Sequence, residues 1–317
     1  MKLDHPAPPT NAVMPPRVAG SVHGADTGST VGAVRIRPAE AADAEACGHI
    51  IYAAFRGIAG AHGFPPDFPS PGSAAQLAAI LIADPSTFGV VAEAGGRVVG
   101  SNFLSEGDPV RGVGPITVDP AFQGGGVGRL LMQAVIERGK DVPSLRLVQD
   151  AFNTRSISLY ASLGFEVREP LALVSGLPRA TVPQGFSVRR LSAEDLSACA
   201  RLCAAAHGIT RTHELRNALQ SFAPMVVERG GRVTGYLTAP GWWIANHGVA
   251  ETGEDMAALL AGAAAAGEPL SFLLPTRQAG FFRWALGAGM RVVKPMTLMA
   301  RGGYGEPDGC WFPSVLY

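Results

Sequence analysis

The stretch "ITVDPAFQGGGVGRLLMQAVIERG", from Ile116 to Gly139, sets a cluster of glycines directly before a helical pattern. The glycines are Gly124, Gly125, Gly126 and Gly128. Because glycine destabilises a helix interior, we expect them in the turn before the helix. Apolar residues then recur at helical spacing, at Val127, Leu130, Leu131, Ala134 and Val135. The β-branched run Ile116 to Val118 predicts a strand before the turn. A strand, a glycine turn and a helix start bring backbone N–H groups and the positive end of the helix dipole together, which favours an anion site.

Two common phosphate-binding loops do not fit this turn. A Walker loop needs Lys and then Ser or Thr after its last glycine, where this chain has Arg129 and Leu130. A dinucleotide-binding fingerprint needs G-x-G-x-x-G. Counted from Gly124 or Gly126, the last glycine of that fingerprint falls on Arg129 or Leu131. An ordinary glycine-rich connection without a ligand remains an alternative for the turn taken alone.

A third pattern, Q/R-x-x-G-x-G/A, is matched by Gln123, Gly126 and Gly128. It resembles the pyrophosphate-binding signature of the GNAT superfamily of acyl-CoA-dependent N-acetyltransferases. Downstream, "NTRSISLYASLGF" resembles the second GNAT signature, N-x-x-[AS]-x-x-[LF]-Y-x-x-x-G-F. The residues that fit the second signature are Asn153, Ser156, Leu159, Tyr160, Gly164 and Phe165. The resemblance covers about Val34 to Leu177 and includes the predicted order of elements: a strand, two helices, a three-strand meander and then the glycine turn. The second of these helices is predicted over Gln76 to Ala83.

The second half of the chain repeats this order at low identity. "FSVRRLSAED" echoes "VRIRPAEAAD", and "MVVERGGRVTGYLTAP" echoes "GVVAEAGGRVVGSNFL". The fold class predicted is therefore α/β with a mixed sheet, a tandem GNAT fold of two similar domains. We expect residues 1–32, rich in Pro, Gly, Ser and Thr, to be a disordered tail. Residues 33–178 are predicted to be the catalytic domain and residues 186–317 a degenerate GNAT-like domain, joined near the Pro- and Gly-containing segment 175–185.

The composition of the chain limits which binding partners and which cellular location are expected. With 317 residues, of which 47% are hydrophobic, the chain is long enough for about two domains of roughly 150 residues each. Lys and Arg number 26, equal to Asp and Glu, so no net positive charge favours a nucleic acid or an anionic membrane surface. The cysteines are scattered, at Cys47, Cys199, Cys203 and Cys310, which favours buried reduced thiols over a metal site. No signal peptide or membrane span is recognised, so the prediction is a cytoplasmic protein.

The resemblance implies acetyl-CoA as cosubstrate and assigns its contacts. The pyrophosphate would meet the backbone of Gln123 to Arg129, including Gly124, Gly125, Gly126, Val127 and Gly128. In the family the strand before the turn bulges and parts from the next strand, here "LRLVQD", and the pantetheine arm lies in that gap. Ile116, Thr117 and Val118 would supply those contacts, and Pro115 is consistent with a bulge or an edge. Asn153 is expected to cap the following helix, to contact pantetheine, or both.

Two roles must be filled for acetyl transfer to an amine. Tyr160 is implied by the resemblance as the general acid for the departing CoA thiolate, against the alternative of a packed tyrosine. Because amines are mostly protonated at neutral pH, a base is also expected. Its candidates are Glu106, Asp108 and Asp150, each of which is alternatively a solvated loop carboxylate. His62, in a nearby proline-rich loop, could line the acceptor pocket.

The predicted activity is transfer of an acetyl group from acetyl-CoA to a primary amine by direct attack in a ternary complex. The acceptor is expected to be a small molecule, with no metal, nucleic acid or membrane involved, and the protein to be a monomer or a homodimer. A non-catalytic acyl-CoA sensor or scaffold is the alternative. The second half is expected to bind no cofactor, because "AETGEDMAALL" lacks the glycine turn and Trp284 stands near the place of the tyrosine. The aromatic tail with Trp311, Phe312 and Tyr317 is expected to pack back across the domain interface, near the acceptor pocket.

Overall fold

The computed structural model describes residues 33–315. The expectations for residues 1–32 and for Tyr317 lie outside the described residues. The first half contains β1 (Arg35–Pro38), α1 (Ala44–Ala61), α2 (Pro71–Ala83), β2 (Thr87–Ala94), β3 (Arg97–Ser105), β4 (Arg111–Gly112), β5 (Thr117–Val118), α3 (Val127–Arg138), β6 (Ser144–Asp150), α4 (Thr154–Ser162) and β7 (Glu166–Gly176). Short 3-10 turns precede α1, at Ala41–Asp43, and α3, at Pro120–Phe122.

The second half follows a similar order. It contains β8 (Phe186–Arg190), α5 (Leu196–His207), α6 (Thr212–Ser221), β9 (Met225–Arg229), β10 (Arg232–Leu237), β11 (Gly248–Ala250), α7 (Gly253–Ala263), β12 (Leu270–Pro275), α8 (Ala279–Gly287), β13 (Arg291–Gly302) and β14 (Cys310–Phe312). Ala193–Asp195 and Ala264–Ala266 form 3-10 turns.

The second half repeats an ion-pair arrangement of the first half as well as its order of elements. Arg37 on β1 forms ion pairs with Asp43 and Glu93, at 2.7 and 2.9 Å. Arg189 on β8 forms the matching pairs with Asp195 and Glu228, at 2.7 and 2.5 Å. The same arginine, six residues before an aspartate, therefore fixes the first strand of each half to the next helix and the neighbouring strand.

Three sheets organise these strands. One half contributes the order β1-β2-β3-β5, the other the order β14-β11-β10-β9-β8. The third sheet, β12-β7-β13-β6-β4, takes strands from both halves. The last long strands are exchanged: β7 of the first half lies between β12 and β13, and β13 of the second half lies between β7 and β6. The two halves therefore share one continuous sheet.

The core is distributed along these sheets. Leu131, Met132 and Val135 of α3 pack under β2 and β3 in one cluster. Leu259 and Leu260 of α7 pack against β12 in another, together with Phe312 of β14. All four cysteines are buried free thiols. Within residues 33–315, no helix combines the length and the apolar character needed to cross a bilayer.

Two helix starts differ from the sequence prediction. Helix α2 begins at Pro71 rather than near Gln76, because Ser70 caps it: the Ser73 N–H donates to Ser70 Oγ at 3.2 Å, and proline suits the first helical position. Gly128 is the second residue of α3 rather than part of the turn. A Cβ there would lie 3.4 Å from Leu159 Cδ2, an ordinary van der Waals distance, so the packing of α3 on α4 does not by itself require glycine at this position.

Candidate active site

A cleft opens where the chain passes from β4, which pairs with β6, to β5, which pairs with β3 instead. Strand β4 pairs in parallel with β6 at Leu145–Arg146, and the Val113 N–H donates to the Arg146 carbonyl at 2.8 Å. The chain then bends at Gly114–Pro115, a cis peptide, and β5 pairs only with β3 within the assigned strands. Since nothing in those ladders joins β5 to β6, the two strands separate and leave a gap between them.

This gap is part of a cavity of about 660 Å³. Residues from α1 and the loop after it, β5, the glycine turn, β6, α4 and the second half line it. The predicted site residues that line it are His62, Ile116, Thr117, Val118, Gln123, Gly124, Gly126, Gly128, Arg129, Asp150, Asn153 and Tyr160. Gly125 and Val127 are not among the lining residues, and the Val127 side chain is buried in the core.

The glycine turn has a backbone that favours glycine. Gly124 and Gly126 have φ of +88° and +84°, in the left-handed region that L side chains avoid. A Cβ at either position would meet nothing within 4 Å, so both glycines border open space. Gln123 ties the turn to its surroundings: its Nε2 donates to the Val118 carbonyl and its Oε1 accepts from Arg155, each at 3.1 Å.

Positive groups surround the same end of the cavity. Helix α3 begins at Val127 and directs the positive end of its dipole there. Arg129 and Arg155 both line the cavity beside the turn. Arg129 Nη2 also donates to Ser162 Oγ at 2.9 Å, which fixes that side chain to α4. This combination suits a polyphosphate.

Helix α4 contributes two residues. Asn153 Oδ1 accepts the Ser156 N–H at 3.2 Å, so Asn153 caps the helix while also lining the cavity. Tyr160 is buried at the cavity wall, and its ring meets Phe165 edge-on. Burial raises the pKa of Tyr160 to about 12, a hydrogen bond from Ser156 lowers it, and the charge of Asp150 raises it. The phenol therefore stays protonated across the physiological range and is available as a donor.

Of the predicted bases, Glu106 and Asp108 lie away from the residues that line this cavity. Glu106 forms ion pairs with Arg111 and Arg138. Asp108 accepts the N–H groups of His213 and Glu214 at 3.0 and 3.1 Å, and so caps α6 of the second half. Both lie in the loop between β3 and β4 and are engaged in structural contacts there, Glu106 within the first half and Asp108 with the second.

Asp150 does line the cavity, and it is joined there by residues that sequence reasoning missed. Lys294 Nζ lies 2.6 Å from Asp150 Oδ1 and 2.6 Å from Asp67 Oδ1. The lysine side chain is 0% exposed. Burial raises the pKa of Asp67, the lysine opposes that shift, and Asp150 adds to it. The available sequence signal was one lysine inside the apolar run "VVKPMTLM" of the second half.

The second half also forms part of the cavity wall. Trp243, Ile244, Met296 and Val315 line it. The Val315 N–H donates to the Ile244 carbonyl at 2.8 Å, which holds the described end of the tail against the cavity. Lys294 Nζ lies 5.3 Å from the centre of the Trp243 ring. The tail thus reaches this cavity through Val315, whereas Trp311 is buried within the second half.

Comparison with known proteins agrees with this geometry. The sequence model of the acetyltransferase (GNAT) family matches residues 59–165, which include the glycine turn and α4. The chain carries a GNAT domain. A mycothiol acetyltransferase of Thermobifida fusca, strain YX, is 34% identical over 107 residues, which is 30% of this chain and 33% of that relative. The match therefore spans about a third of the curated relative.

Solved structures extend the GNAT fold to the whole described chain. A Pyrococcus horikoshii protein, described as a candidate acetyltransferase, is 16% identical with a TM-score of 0.71, over 93% of this chain and 98% of that one. A tandem GNAT protein from the clavulanic acid biosynthesis pathway is 16% identical with a TM-score of 0.54, over 84% and 98%. At these identities the likeness establishes the fold: two GNAT-like halves with mixed sheets.

In residues 186–315, the second GNAT-like half lacks the glycine turn of the first cleft. The Asp119 N–H donates to the Val99 carbonyl, and the Glu251 N–H donates to the Thr234 carbonyl, each at 2.9 Å, so these positions correspond. The glycine turn follows Asp119, but α7 begins two residues after Glu251. Asp255, in the first turn of α7, is 0% exposed and accepts two bonds from Arg229 at 2.9 and 3.0 Å.

The C-terminal strand occupies the corresponding gap of the second half. Strand β14 pairs with β11, the counterpart of β5, and its Phe312 stacks on Phe272 of β12, the counterpart of β6, at 4.2 Å. Gln278, which precedes α8 as Asn153 precedes α4, donates to the Trp311 carbonyl at 2.8 Å and accepts its N–H at 3.3 Å. A strand of the chain itself therefore fills this space.

The counterpart of Tyr160 is Ala285 rather than Trp284. The Phe165 N–H donates to the Tyr160 carbonyl, and the Met290 N–H donates to the Ala285 carbonyl, both at 3.1 Å. Helix position, counted from the capping residue, gives the same correspondence. Trp284 precedes this position by one residue and stacks on Phe281 at 5.1 Å. At the position that corresponds to Tyr160, α8 therefore carries alanine and no phenol.

Proposed function

We propose that this protein is an acetyl-CoA-dependent N-acetyltransferase that moves an acetyl group to a primary amine by direct attack in a ternary complex. The observation that carries the proposal is that one cavity is lined by the glycine turn, Tyr160 and Asp150. These residues match the needs of the reaction in order: a place for a pyrophosphate, a donor for the leaving thiolate and an acceptor for the proton of the amine.

The cosubstrate would lie along the gap between β5 and β6. Gly124 and Gly126 leave room for the pyrophosphate beside the start of α3, with Arg129 and Arg155 as counter-charges. Pantetheine would follow the backbone of β5, at Ile116 to Val118, like an added strand. A backbone N–H in the bend between β4 and β5 would stabilise the oxyanion formed as the amine attacks.

Asp150 and Tyr160 have different roles in the proposed reaction: Asp150 accepts a proton, and Tyr160 donates a hydrogen bond. The amine is mostly protonated at neutral pH, so it gives a proton to Asp150, directly or through water, before it attacks the thioester carbonyl. The C–N bond forms, the C–S bond breaks, the thiolate leaves, and the nitrogen loses its second proton to solvent. A thiol has a reference pKa of about 8.5, well below the value of about 12 for Tyr160. Tyr160 therefore stabilises the thiolate by a hydrogen bond, while solvent supplies its final proton.

The second half would bind no coenzyme A. Its glycine turn is missing, Asp255 is buried at the helix start, and β14 fills the gap between β11 and β12. Carboxylates at that helix start also repel a phosphate. Its function is then to complete the first cleft with Lys294, Trp243 and Val315.

The test combines binding with turnover. Titration calorimetry should give one acetyl-CoA per chain, and thiol release should depend on an added primary amine from a broad panel. Acetyl-CoA binding without amine-dependent thiol release would instead indicate an acyl-CoA-binding protein. A stoichiometry of two would contradict the assignment of the second half.

A further inference from the structure

We propose, building on the function above, that the acceptor is a small primary amine with an apolar or aromatic body and no carboxylate. Its ammonium head would be held by Asp67 and Asp150, which Lys294 positions. The inference rests on the charges around Asp150, the walls of the cavity beside it and the placement of the arginines.

The charges near Asp150 favour a cation. Asp67 and Asp150 share Lys294, with both ion pairs at 2.6 Å, so the ionised cluster carries one surplus negative charge. Their side chains are 7% and 4% exposed, and both residues line the cavity. A buried surplus charge is costly unless it is paired. A protonated amine entering the cavity supplies that pairing.

The side chains that line the cavity favour an acceptor with an apolar body. Aromatic side chains line the cavity on several elements: Phe55, Phe68, Phe152 and Trp243. Phe152 stacks on Phe64 at 4.4 Å, and His62 meets Phe152 at 5.0 Å. Gln149, which lines the cavity next to Asp150, is neutral, and both atoms of its amide lack a hydrogen-bond partner within the described residues. These walls offer ring contacts and one neutral polar group.

The cations disfavour a carboxylate on the acceptor. Among the described lining residues, the arginines are Arg129 and Arg155, both tied to the glycine turn or α4 by hydrogen bonds. Lys294 is already shared by two carboxylates. An amino acid would therefore bring its carboxylate beside Asp67 and Asp150 without a counter-charge, whereas a simple amine would not.

The proton and the bonds balance as follows. The ammonium gives one proton to the carboxylate pair and becomes the nucleophile. Its nitrogen bonds to the acetyl carbon as the C–S bond breaks, the nitrogen loses its second proton to solvent, and solvent protonates the thiolate. The products are a neutral amide and a free thiol. Once the carboxylate pair returns its proton to solvent, the surplus charge is restored, and the neutral amide, unlike an ammonium, does not pair with it. Lys294 touches neither substrate in this scheme and acts as a positioning residue.

The substrate test uses the full chain and matched amines. We expect kcat/KM for 2-phenylethylamine to exceed that for phenylalanine, which adds a carboxylate to the same body, and that for glucosamine, which has a polar body, by at least 100-fold. A preference for phenylalanine or glucosamine would overturn this inference and leave N-acetyl transfer intact. Thiol release with no amine of the panel, despite acetyl-CoA binding, would instead overturn the proposed function.

Variants test the roles of the cluster. Asp67→Asn should raise KM for 2-phenylethylamine at least tenfold and leave the Kd for acetyl-CoA unchanged. Lys294→Met should shift the acidic limb of the kcat/KM pH profile, and Lys294→Arg should restore it in part. Lys140→Met, which removes an exposed lysine paired with Glu137, is the matched control. If Asp67→Asn and a folded Lys294→Met both keep the KM and pH profile of the parent, the cluster does not hold the amine.

Discussion

Lys294 Nζ lies 2.6 Å from Asp150 Oδ1, although the two residues belong to different halves of the chain. Asp150 ends β6, and Lys294 lies on β13, which pairs with β6 through the exchanged sheet. The candidate base is therefore held by a residue about 140 positions downstream, a separation that follows from the strand exchange. The cleft of the first half is complete only when the second half is folded onto it.

Separating the halves should reveal this dependence. A fragment ending at Gln184, in the exposed segment before β8, loses both β12 and β13 as neighbours of β7. We expect it to be insoluble or inactive alone, and to regain thiol-release activity when co-expressed with residues 185–317. Co-purification and activity are the measurements. Full activity of the isolated fragment would refute the dependence.

Gly126→Ala should weaken acetyl-CoA binding by more than tenfold. The new Cβ enters the space bordering the turn, and the left-handed φ of +84° adds a strain of roughly 1–2 kcal/mol. Gly95→Ala is the matched control, because Gly95 also has a positive φ of +57° and open space, but lies in the β2–β3 hairpin. Calorimetric Kd values should separate them; equal affinities in two folded variants would move the pyrophosphate site elsewhere.

Tyr160→Phe should lower kcat by roughly tenfold to 150-fold, because the leaving thiolate loses a hydrogen bond to a charged group, which contributes about 1.5–3 kcal/mol. The acetyl-CoA Kd should stay near that of the parent. Because the pKa of Tyr160 is raised to about 12, chiefly by burial, the parent should show no loss of activity from this group below about pH 11. Tyr52→Phe, on α1 and outside the cavity lining, is the control. Unchanged kcat in Tyr160→Phe would limit this residue to packing.

The free energy of unfolding should decrease as pH falls, because of His207. Burial lowers its pKa to about 3, with Arg211 and Arg146 adding to the shift, so the folded protein keeps it neutral. The unfolded chain binds a proton near pH 6.5. The unfolded state then holds more protons between pH 6.5 and 3, and the free energy of unfolding decreases as pH falls, by about 1.4 kcal/mol per unit from this group.

Comparing the His207→Gln variant with the parent protein isolates the contribution of His207 to the pH dependence of stability. His247, with a lowered pKa, acts in the same direction, whereas Asp67 and Glu214, with raised pKa values, act in the opposite direction. We therefore expect urea unfolding of His207→Gln between pH 6 and 4.5 to show a shallower slope than the parent. His49→Gln, an exposed position on α1, should keep the parental slope. An unchanged slope in His207→Gln would mean that His207 is charged in the folded state.

Local sequence patterns predict much of the fold. Strand and helix positions followed from apolar spacing, and two short motifs indicated the GNAT fold, since glycine at a left-handed φ and an apolar helix face are properties of neighbouring residues. The repeat of Arg37 and Asp43 as Arg189 and Asp195 was likewise visible as a repeated phrase. Helix α2 starts before the apolar pattern does, because its Ser70 cap and Pro71 belong to the proline-rich segment.

What the sequence by itself determined was the glycine turn before α3 and the capped helix α4, because each needs only a few adjacent residues. Only the tertiary structure decided which carboxylate faces the cleft. Glu106 and Asp108 follow β3, and Asp150 ends β6. Glu106 pairs with arginines, Asp108 caps a helix of the other half, and Asp150 meets Lys294 in the cavity. That choice depends on the exchange of β7 and β13, and strand pairing between distant segments leaves no periodic mark in either segment. The same exchange brought Asp67, Lys294 and Trp243 to one site.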